Sequence, residues 1–463
     1  MIRLFRVLFP TTTLAILVSE ILLLFFSYSL VCLFLLDVDP VFFLVEEQGL
    51  LRIAIIVASI LLGLHLQDLY TELLVRKRTL LVQQLSMATG VGFLIQALLG
   101  YAKSELILPR WVMIYGSFLA LILMTILRLA YSSLVVRAIG AQRLLFAGNS
   151  PVLAEVAERV AARPELGVTV VGHVSDCSIE MRPIPGVAAL GDLSALRTIV
   201  EEAKPDRIVI GMAERRQKLP VYDLLDFRLS GIHIEEVAAT YEMAFGRVCL
   251  RELRPSQLIF TEALGPSPNS VAVQVIYSTI IALAGLLLTL PLLAITAIVV
   301  KLSSPGPILY RQTRVGLEGV LFTVLKFRSM YQDAEARTGA VWAQKDDPRI
   351  TPVGRVIRKL RLDELPQLIN VLKGEMSIVG PRPERPEFVK TLSEQVPFYR
   401  QRHCVKPGLT GWAQINYKYG DTMEDTLTKL EYDLYYIKNI SFALDLFILL
   451  NTLKTVLLGR GAQ

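Results

Sequence analysis

The chain has 463 residues, 53% of them hydrophobic and 19% charged, with a formal net charge of +6 at pH 7. Soluble domains carry about 25% charged residues, so this composition excludes a wholly aqueous protein, and the length allows two or three domains of roughly 150 residues each. The positive charge is too small and too dispersed for a nucleic-acid binder, and suits a protein that handles anions at an anionic membrane surface.

Four apolar stretches come first, near 11–36, 50–66, 79–101 and 107–135. A spanning helix needs roughly 20 such residues. The second is expected to be the weakest, because His65, Gln67 and Asp68 close it early. The first is too long for a cleavable leader and others follow it. Arg3 and Arg6 precede the first stretch, and Asp37, Asp39, Glu46 and Glu47 follow it. Arg76, Lys77 and Arg78 fill the second connection, Lys103 and Glu105 the third, and Arg137 and Arg143 follow the fourth stretch. Basic residues thus recur on alternate sides, which predicts four transmembrane helices over 1–138 with both ends in the cytoplasm.

Residues 139–265 read as a cytoplasmic Rossmann-like module. Short β-rich runs (Arg143–Gly148, Thr169–Val174, Arg207–Gly211, His233–Val237) alternate with helical ones near 152–163 and 219–230, a pattern that predicts a parallel α/β sheet. Gly148 ends the first run where a phosphate loop would sit. Asn149, Ser150 and Pro151 follow it, so the later glycines of a dinucleotide loop are missing. A structural or regulatory module is expected, dispensable for chemistry, so that a protein starting near 262 keeps some activity.

Residues 266–463 form the last expected domain. Its apolar stretch, about 271–300, holds Pro291 deep inside, where a helix bends. Lys301, Arg311, Arg314 and Lys326 follow, and this basic flank favours a helix that enters the membrane, bends at Pro291 and returns. The stretch 442–458, interrupted by Asp445, Asn451 and Lys454, reads as an interfacial amphipathic helix. The four cysteines (Cys32, Cys177, Cys249, Cys404) have no CxxC spacing and no histidine cluster, which argues against a zinc or disulfide framework.

Chemistry concentrates in 301–440. In Arg361-Leu362-Asp363-Glu364-Leu365-Pro366 two adjacent carboxylates, about 100° apart on a helix, are free to take different roles. Around them in sequence lie Arg314, Lys326, Arg328, Arg349, Arg358 and Arg361. Guanidinium groups match phosphate oxygens. The prolines of Gly380-Pro381-Arg382-Pro383-Glu384-Arg385-Pro386 stiffen a loop that would hold Arg382 in place.

Tyr310-Arg311-Gln312, Arg314-Val315-Gly316, Lys326-Phe327-Arg328-Ser329-Met330, Leu362-Asp363-Glu364-Leu365-Pro366-Gln367-Leu368 and Val379-Gly380-Pro381-Arg382-Pro383 together resemble the bacterial sugar transferase family of monotopic polyprenyl-phosphate phosphoglycosyl transferases. The resemblance covers about 270–463. The segment before it resembles the large exopolysaccharide-initiating branch. Val341-Trp342-Ala343-Gln344, Arg402-His403 and Lys406-Pro407-Gly408 with Thr410-Gly411-Trp412-Ala413-Gln414 are similar to its PEP-CTERM-associated members.

The resemblance implies a membrane protein of α plus α/β class, with a mostly helical catalytic domain behind the re-entrant helix. It implies transfer of a sugar 1-phosphate from a UDP-sugar to polyprenyl (undecaprenyl) phosphate at the cytoplasmic face of the bacterial inner membrane. By it, Asp363 is the nucleophile of a covalent two-step reaction, and Asp363 and Glu364 are ligands of Mg2+. Lys326, Arg328, Arg358, Arg361, Arg382 and Arg314 bind substrate phosphates, and a homodimer is expected. Two departures bear on the re-entrant helix. It begins Asn269-Ser270-Val271-Ala272-Val273-Gln274 where relatives place a basic pair and an aspartate, and Leu290 rather than serine precedes Pro291. The rival readings are a nucleotide-sugar oxidoreductase or epimerase built on the α/β module, and a membrane scaffold for polysaccharide assembly.

Overall fold

A computed structural model describes residues 2–4, 7–9, 11–36, 39–70, 78–132, 142–175, 184–212, 219–253, 268–332, 334, 347–417 and 422–458. Val341–Gln344, Arg76, Lys77, Arg137, Cys177 and the expected domain boundaries near 138 and 265 lie outside the described residues. The chain divides into two compact units, one ending at Glu236 and the other running from Val237 to Gln463, with a few N-terminal residues exchanged between them.

In the first unit the four apolar stretches are helices: α1 (Thr11–Leu35), α2 (Gly49–Leu66), α3 (Arg78–Ala102) and α4 (Arg110–Ala130). Each is long and apolar enough to cross a membrane. Their inner faces share a core of Leu24, Tyr28, Ile53, Ile56, Ile60, Leu85, Ala88, Val112, Ala120 and Met124, while Leu22, Phe26, Leu94, Leu98, Phe118 and Ile126 point outward. Polar ties lie inside this core. Tyr28 shares a 2.6 Å hydrogen bond with Ser117. Arg128 Nε donates to Glu20 Oε1 at 2.7 Å, and Tyr70 donates to Glu20 Oε2 at 2.8 Å. Buried charges are tolerated when paired and hydrogen-bonded, and this pair joins α1 to α4.

The α/β module follows. Its strands are β1 (Gln142–Ala147), β2 (Val168–Ser175), β3 (Ala189–Asp192), β4 (Arg207–Ile210) and β5 (His233–Glu236). They pair in the order β3-β2-β1-β4-β5, all parallel. The β-branched and leucine residues of β1 and β4 are fully buried, as parallel strands covered on both faces require. Helices α5 (Pro151–Ala162), α6 (Leu196–Ala203) and α7 (Val221–Leu229) make the connections. Gly148 has φ +115° at the end of β1, and Ser150 caps α5 by accepting from Val152 N.

The second unit opens with α8 (Val237–Phe245), which packs with the C-terminal residues. The long apolar helix α9 (Pro268–Ser303) is α-helical on both sides of Pro291. A hairpin of β6 (Leu309–Val315) and β7 (Leu321–Phe327) comes next, antiparallel with Tyr310 opposite Lys326 and Arg314 opposite Phe322. Then come α10 (Pro352–Lys359), a 3-10 turn over Leu362–Glu364, α11 (Gln367–Leu372) and β8 (Ser377–Val379). After α12 (Pro386–Gln395) and a second 3-10 turn (Tyr399–Cys404), β9 (Gly408–Thr410) pairs in parallel with β8. The short helix α13 (Trp412–Asn416), α14 (Met423–Asn439) and α15 (Phe442–Leu457) close the unit.

Side chains with clear causes set these elements. Thr351 accepts from Gly354 N at 2.9 Å and Pro352 starts α10, the usual N-terminal pairing. Thr422 and Asp425 form a reciprocal capping box on α14. Asn370 is fully buried and spans two elements. Its Nδ2 donates to Thr323 O and Glu375 Oε2, both at 2.7 Å, and its Oδ1 accepts from Leu325 N. These bonds fasten α11 to β7 and so fix Lys326.

Candidate active site

The reactive turn begins with an unusual backbone. Arg361 has φ +58°, a left-handed conformation that costs a non-glycine residue of order 1 kcal/mol or more. It ends α10 and turns the chain so that Asp363 and Glu364 face inward. Asp363 is 8% exposed, and among the described residues its carboxylate has no hydrogen-bond partner. Glu364 is held from three sides. Arg382 Nη2 donates to its Oε1 at 2.7 Å, Lys326 Nζ lies 3.4 Å from the same oxygen, and Arg361 Nη1 is 3.7 Å from Oε2.

The two carboxyls are thereby driven apart. Burial, and then the Glu364 charge, push Asp363 up to about 6, against the pull of Lys326, Arg358 and Arg382. Burial would raise Glu364 too, but Arg382, Lys326 and Arg361 outweigh it and hold that carboxyl well below the usual range. Lys326 is lowered by burial, with Glu364 opposing. The site therefore contains one permanently ionised carboxylate that orders cations, and one unpaired carboxyl that titrates nearer neutrality.

Three further cations have distinct placements. Arg358, in the last turn of α10, is near enough to act on Asp363, and its Nη1 is buried with no partner among the described residues. A buried orphan donor is costly, and an anionic ligand would satisfy it. Arg314 donates to Pro383 O at 3.0 Å and to Gln312, so it grips the proline loop rather than facing Glu364. Arg328 is placed differently from expectation. Its guanidinium donates to Val300 O, Ser304 O, Ser304 Oγ and Pro305 O at 2.6–3.3 Å. It caps the C-terminal carbonyls of α9, where a cation also meets the negative end of the helix dipole. Nη1 and Nη2 of Arg328 are thus engaged in the cap, while its Nε is buried with no partner among the described residues. Arg349, one of the neighbouring cations in sequence, is committed to Asp347 at 2.6 Å.

Sequence reasoning passed over two buried acids. Glu431 and Asp433 on α14 are 6% and 3% exposed. Asp433 pairs with Arg402 at 2.8 Å, and burial pushes Asp433 up to about 6. Their signal was present as acids at positions where α14 otherwise presents buried Leu430, Leu434, Tyr435 and Ile437.

Residues 269–459 match the family model described as bacterial sugar transferase, and residues 65–224 match one described as a CoA-binding domain. The chain is 45% identical over 231 residues to the UDP-N-acetylgalactosamine-undecaprenyl-phosphate N-acetylgalactosaminephosphotransferase of Aeromonas hydrophila, covering 50% of this chain and 53% of that protein. It is 37% identical over 310 residues to the UDP-glucose:undecaprenyl-phosphate glucose-1-phosphate transferase of Escherichia coli (strain K12), covering 65% and 64%. It is 33% identical over 355 residues to the similarly named protein of Xanthomonas campestris pv. campestris, covering 72% and 70%. The chain belongs to the bacterial sugar transferase family.

The family match begins at α9 and contains every residue of the site. The chain spans about half of the Aeromonas relative and just under two thirds of the Escherichia coli one. The sugars named for these relatives differ, so similarity alone does not select one.

Proposed function

We propose that this protein transfers a sugar 1-phosphate from a UDP-sugar to polyprenyl phosphate, with Asp363 as a covalent nucleophile. The observation that carries this reading is an unpaired, buried carboxyl beside a cation-locked Glu364, with Arg358 Nη1 lacking a partner nearby. A carboxylate is a weak nucleophile, and it attacks a diphosphate only where the charge on phosphorus is neutralised. One Asp363 oxygen bonds to the β-phosphorus, and the bond from that phosphorus to the α–β bridging oxygen breaks, releasing UMP. An oxygen of polyprenyl phosphate then attacks the same phosphorus. The acyl-phosphate bond breaks, the carboxylate returns, and polyprenyl-diphospho-sugar leaves.

Mg2+ is the metal that this reading calls for. No group of three or more His, Cys, Asp and Glu clusters among the described residues, and Mg2+ is commonly held by one or two carboxylates plus substrate phosphates. Asp363 and Glu364 would hold it, and it would neutralise phosphate charge. Lys326, Arg358, Arg361 and Arg382 bind and orient the phosphates.

The same reading includes a re-entrant α9. A straight 36-residue helix is about 54 Å long, well beyond the roughly 30 Å of a hydrocarbon core. Both of its ends are seated on the second unit. Near the start, Ser278 bonds Ser377 at 3.0 Å and Gln274 bonds Tyr436 and Asp445, both at 2.7 Å. Near the finish, Val300 packs with Phe327 and Ile357 under the Arg328 cap. Between them Leu287, Leu288 and Leu290 are exposed beside Pro291. A bend that leaves both ends on one face, with apolar residues in lipid, accounts for all three facts. On α15 the exposed Phe442, Leu446, Leu450 and Leu453 form one stripe, and Phe442 meets Tyr277 of α9 edge to face. That stripe suits a helix lying in the interface. In this reading α1–α4 form a transmembrane bundle and the catalytic unit faces the cytoplasm of the bacterial inner membrane.

The deciding experiment offers purified protein a panel of UDP-sugars with undecaprenyl phosphate and Mg2+ and measures UMP. One sugar should support release that requires the lipid phosphate for turnover. Silence across glucose, galactose and N-acetylhexosamine donors would overturn the reading.

The pH dependence follows from Asp363. Its carboxyl, pushed up to about 6, is protonated and inert below that value and ionised above it. The kcat/KM for the UDP-sugar should therefore rise tenfold per unit below about pH 6 and level off above it. A plateau extending down to pH 4 would contradict this.

A further inference from the structure

We propose that the buried Arg402–Asp433 ion pair is a positioning device that sets Arg382 for catalysis. This rests on the phosphotransfer reading above. Arg382 is the cation closest to Glu364, yet it sits on a loop rich in proline. Pro381, Pro383 and Pro386 have no N–H to donate, so the loop can be gripped mainly by its carbonyls. Four successive carbonyls are gripped. Pro381 O accepts from Gly408 N at 2.9 Å. Arg382 O accepts from Arg402 Nη2 at 2.9 Å, Pro383 O from Arg314 Nη1 at 3.0 Å, and Glu384 O from Val315 N at 3.0 Å.

The grip on Arg382 itself is the one that depends on a buried charge. Arg402 Nη2 also meets Asp433 Oδ2 at 2.8 Å, so one nitrogen serves both the acid and the Arg382 carbonyl. Its Nη1 donates to Tyr399 at 2.7 Å, and the guanidinium lies 5.2 Å from that ring centre. Arg402 and Asp433 are 8% and 3% exposed, so water cannot substitute for either. Asp433 is anchored on the interior face of α14. A continuous chain therefore runs from α14 through Asp433, Arg402 and the Arg382 backbone to the Arg382 guanidinium and Glu364, next to Asp363. Arg402 and Asp433 reach the reaction only through Arg382, so they are positioning residues.

A merely structural pair and a positioning pair respond differently to apolar replacement. Exchanging a buried ion pair for packed apolar side chains is often neutral for stability. The double variant Arg402→Met/Asp433→Leu should therefore melt near the wild-type temperature in detergent or nanodiscs. It nevertheless lacks the donor to Arg382 O. Misplacement of a reacting group by about 1 Å costs on the order of 10²-fold, so kcat for UMP release should fall 10- to 100-fold. KM for the UDP-sugar should stay within about threefold, because Arg382 keeps its charge. A folded double variant with wild-type kcat would overturn the proposal. Should that variant not fold, Arg402→Met/Asp433→Asn decides: it nearly keeps the volume of the acid, carries no buried charge and still lacks the donor to Arg382 O, and wild-type kcat there would equally overturn it. Wild-type protein is the reference in every assay. If it releases no UMP with any donor, the phosphotransfer reading falls and this proposal with it, whereas active wild type beside an unaffected variant removes the proposal alone.

Discussion

Asp363→Asn should lower turnover by roughly 10⁴-fold or more, since a covalent path loses its first bond rather than one stabilising contact. The substitution keeps shape and removes the charge and the nucleophilic oxygen. It should disturb the fold little, because the carboxylate makes no hydrogen bond among the described residues while Glu364 keeps its three cations. Removing a carboxyl raised by burial to about 6 should even relieve some cost above that pH. Protein incubated with the productive UDP-sugar, without prenyl phosphate, should carry a sugar-phosphate adduct on the peptide containing Asp363. Intact-mass and peptide spectra should lack it in Asp363→Asn. An adduct on another residue, or near-normal turnover in the variant, would sink the assignment.

The second large effect concerns where the catalytic unit starts. From sequence, a protein beginning near 262 is expected to stay active. In the structure Val237–Leu253 belongs to the second unit, which gives that shorter protein a stability cost to carry. Among the described residues the Glu431 carboxylate finds its partners in this segment: Tyr241 at 3.4 Å, Leu250 N at 3.2 Å and Arg247 at 3.2 Å. Glu242 also pairs with Lys438 at 2.9 Å, and Gly246 O accepts from Trp412 Nε1 at 2.8 Å. Truncation at 262 would strip these partners from Glu431 and Lys438 and bare the α14 face that Tyr241 and Cys249, both fully buried, now cover, and loss of buried packing together with ion pairs is a recognised cause of large destabilisation. Domains hold only about 5–15 kcal/mol in total. Protein starting at 262 should aggregate or melt well below protein starting at 237, judged by size exclusion and thermal melting in nanodiscs. Equal melting of the two would show the segment to be peripheral.

Local composition determined much of this protein without tertiary help. Apolar runs of membrane length became α1–α4 and α9, because length and hydropathy alone decide which helices suit lipid. The alternation of β-branched runs and helical periods became the parallel sheet, because each βαβ connection is a short-range event. Asp363, Glu364, Lys326 and Arg382 stood out because dense polar motifs are rare in so apolar a chain. Only the tertiary structure decided which charge meets which. Lys326 and Arg328 are two residues apart on one motif, yet one reaches Glu364 and the other caps α9. Strand residues i and i+2 share a face only while the strand lasts, and β7 ends at Phe327. The pairs Glu20–Arg128, Arg247–Glu431 and Arg402–Asp433 join residues far apart in the chain. No sequence window contains them, because a buried charge is chosen by the partner that folding brings to it, and that partner exists only once the helices have packed.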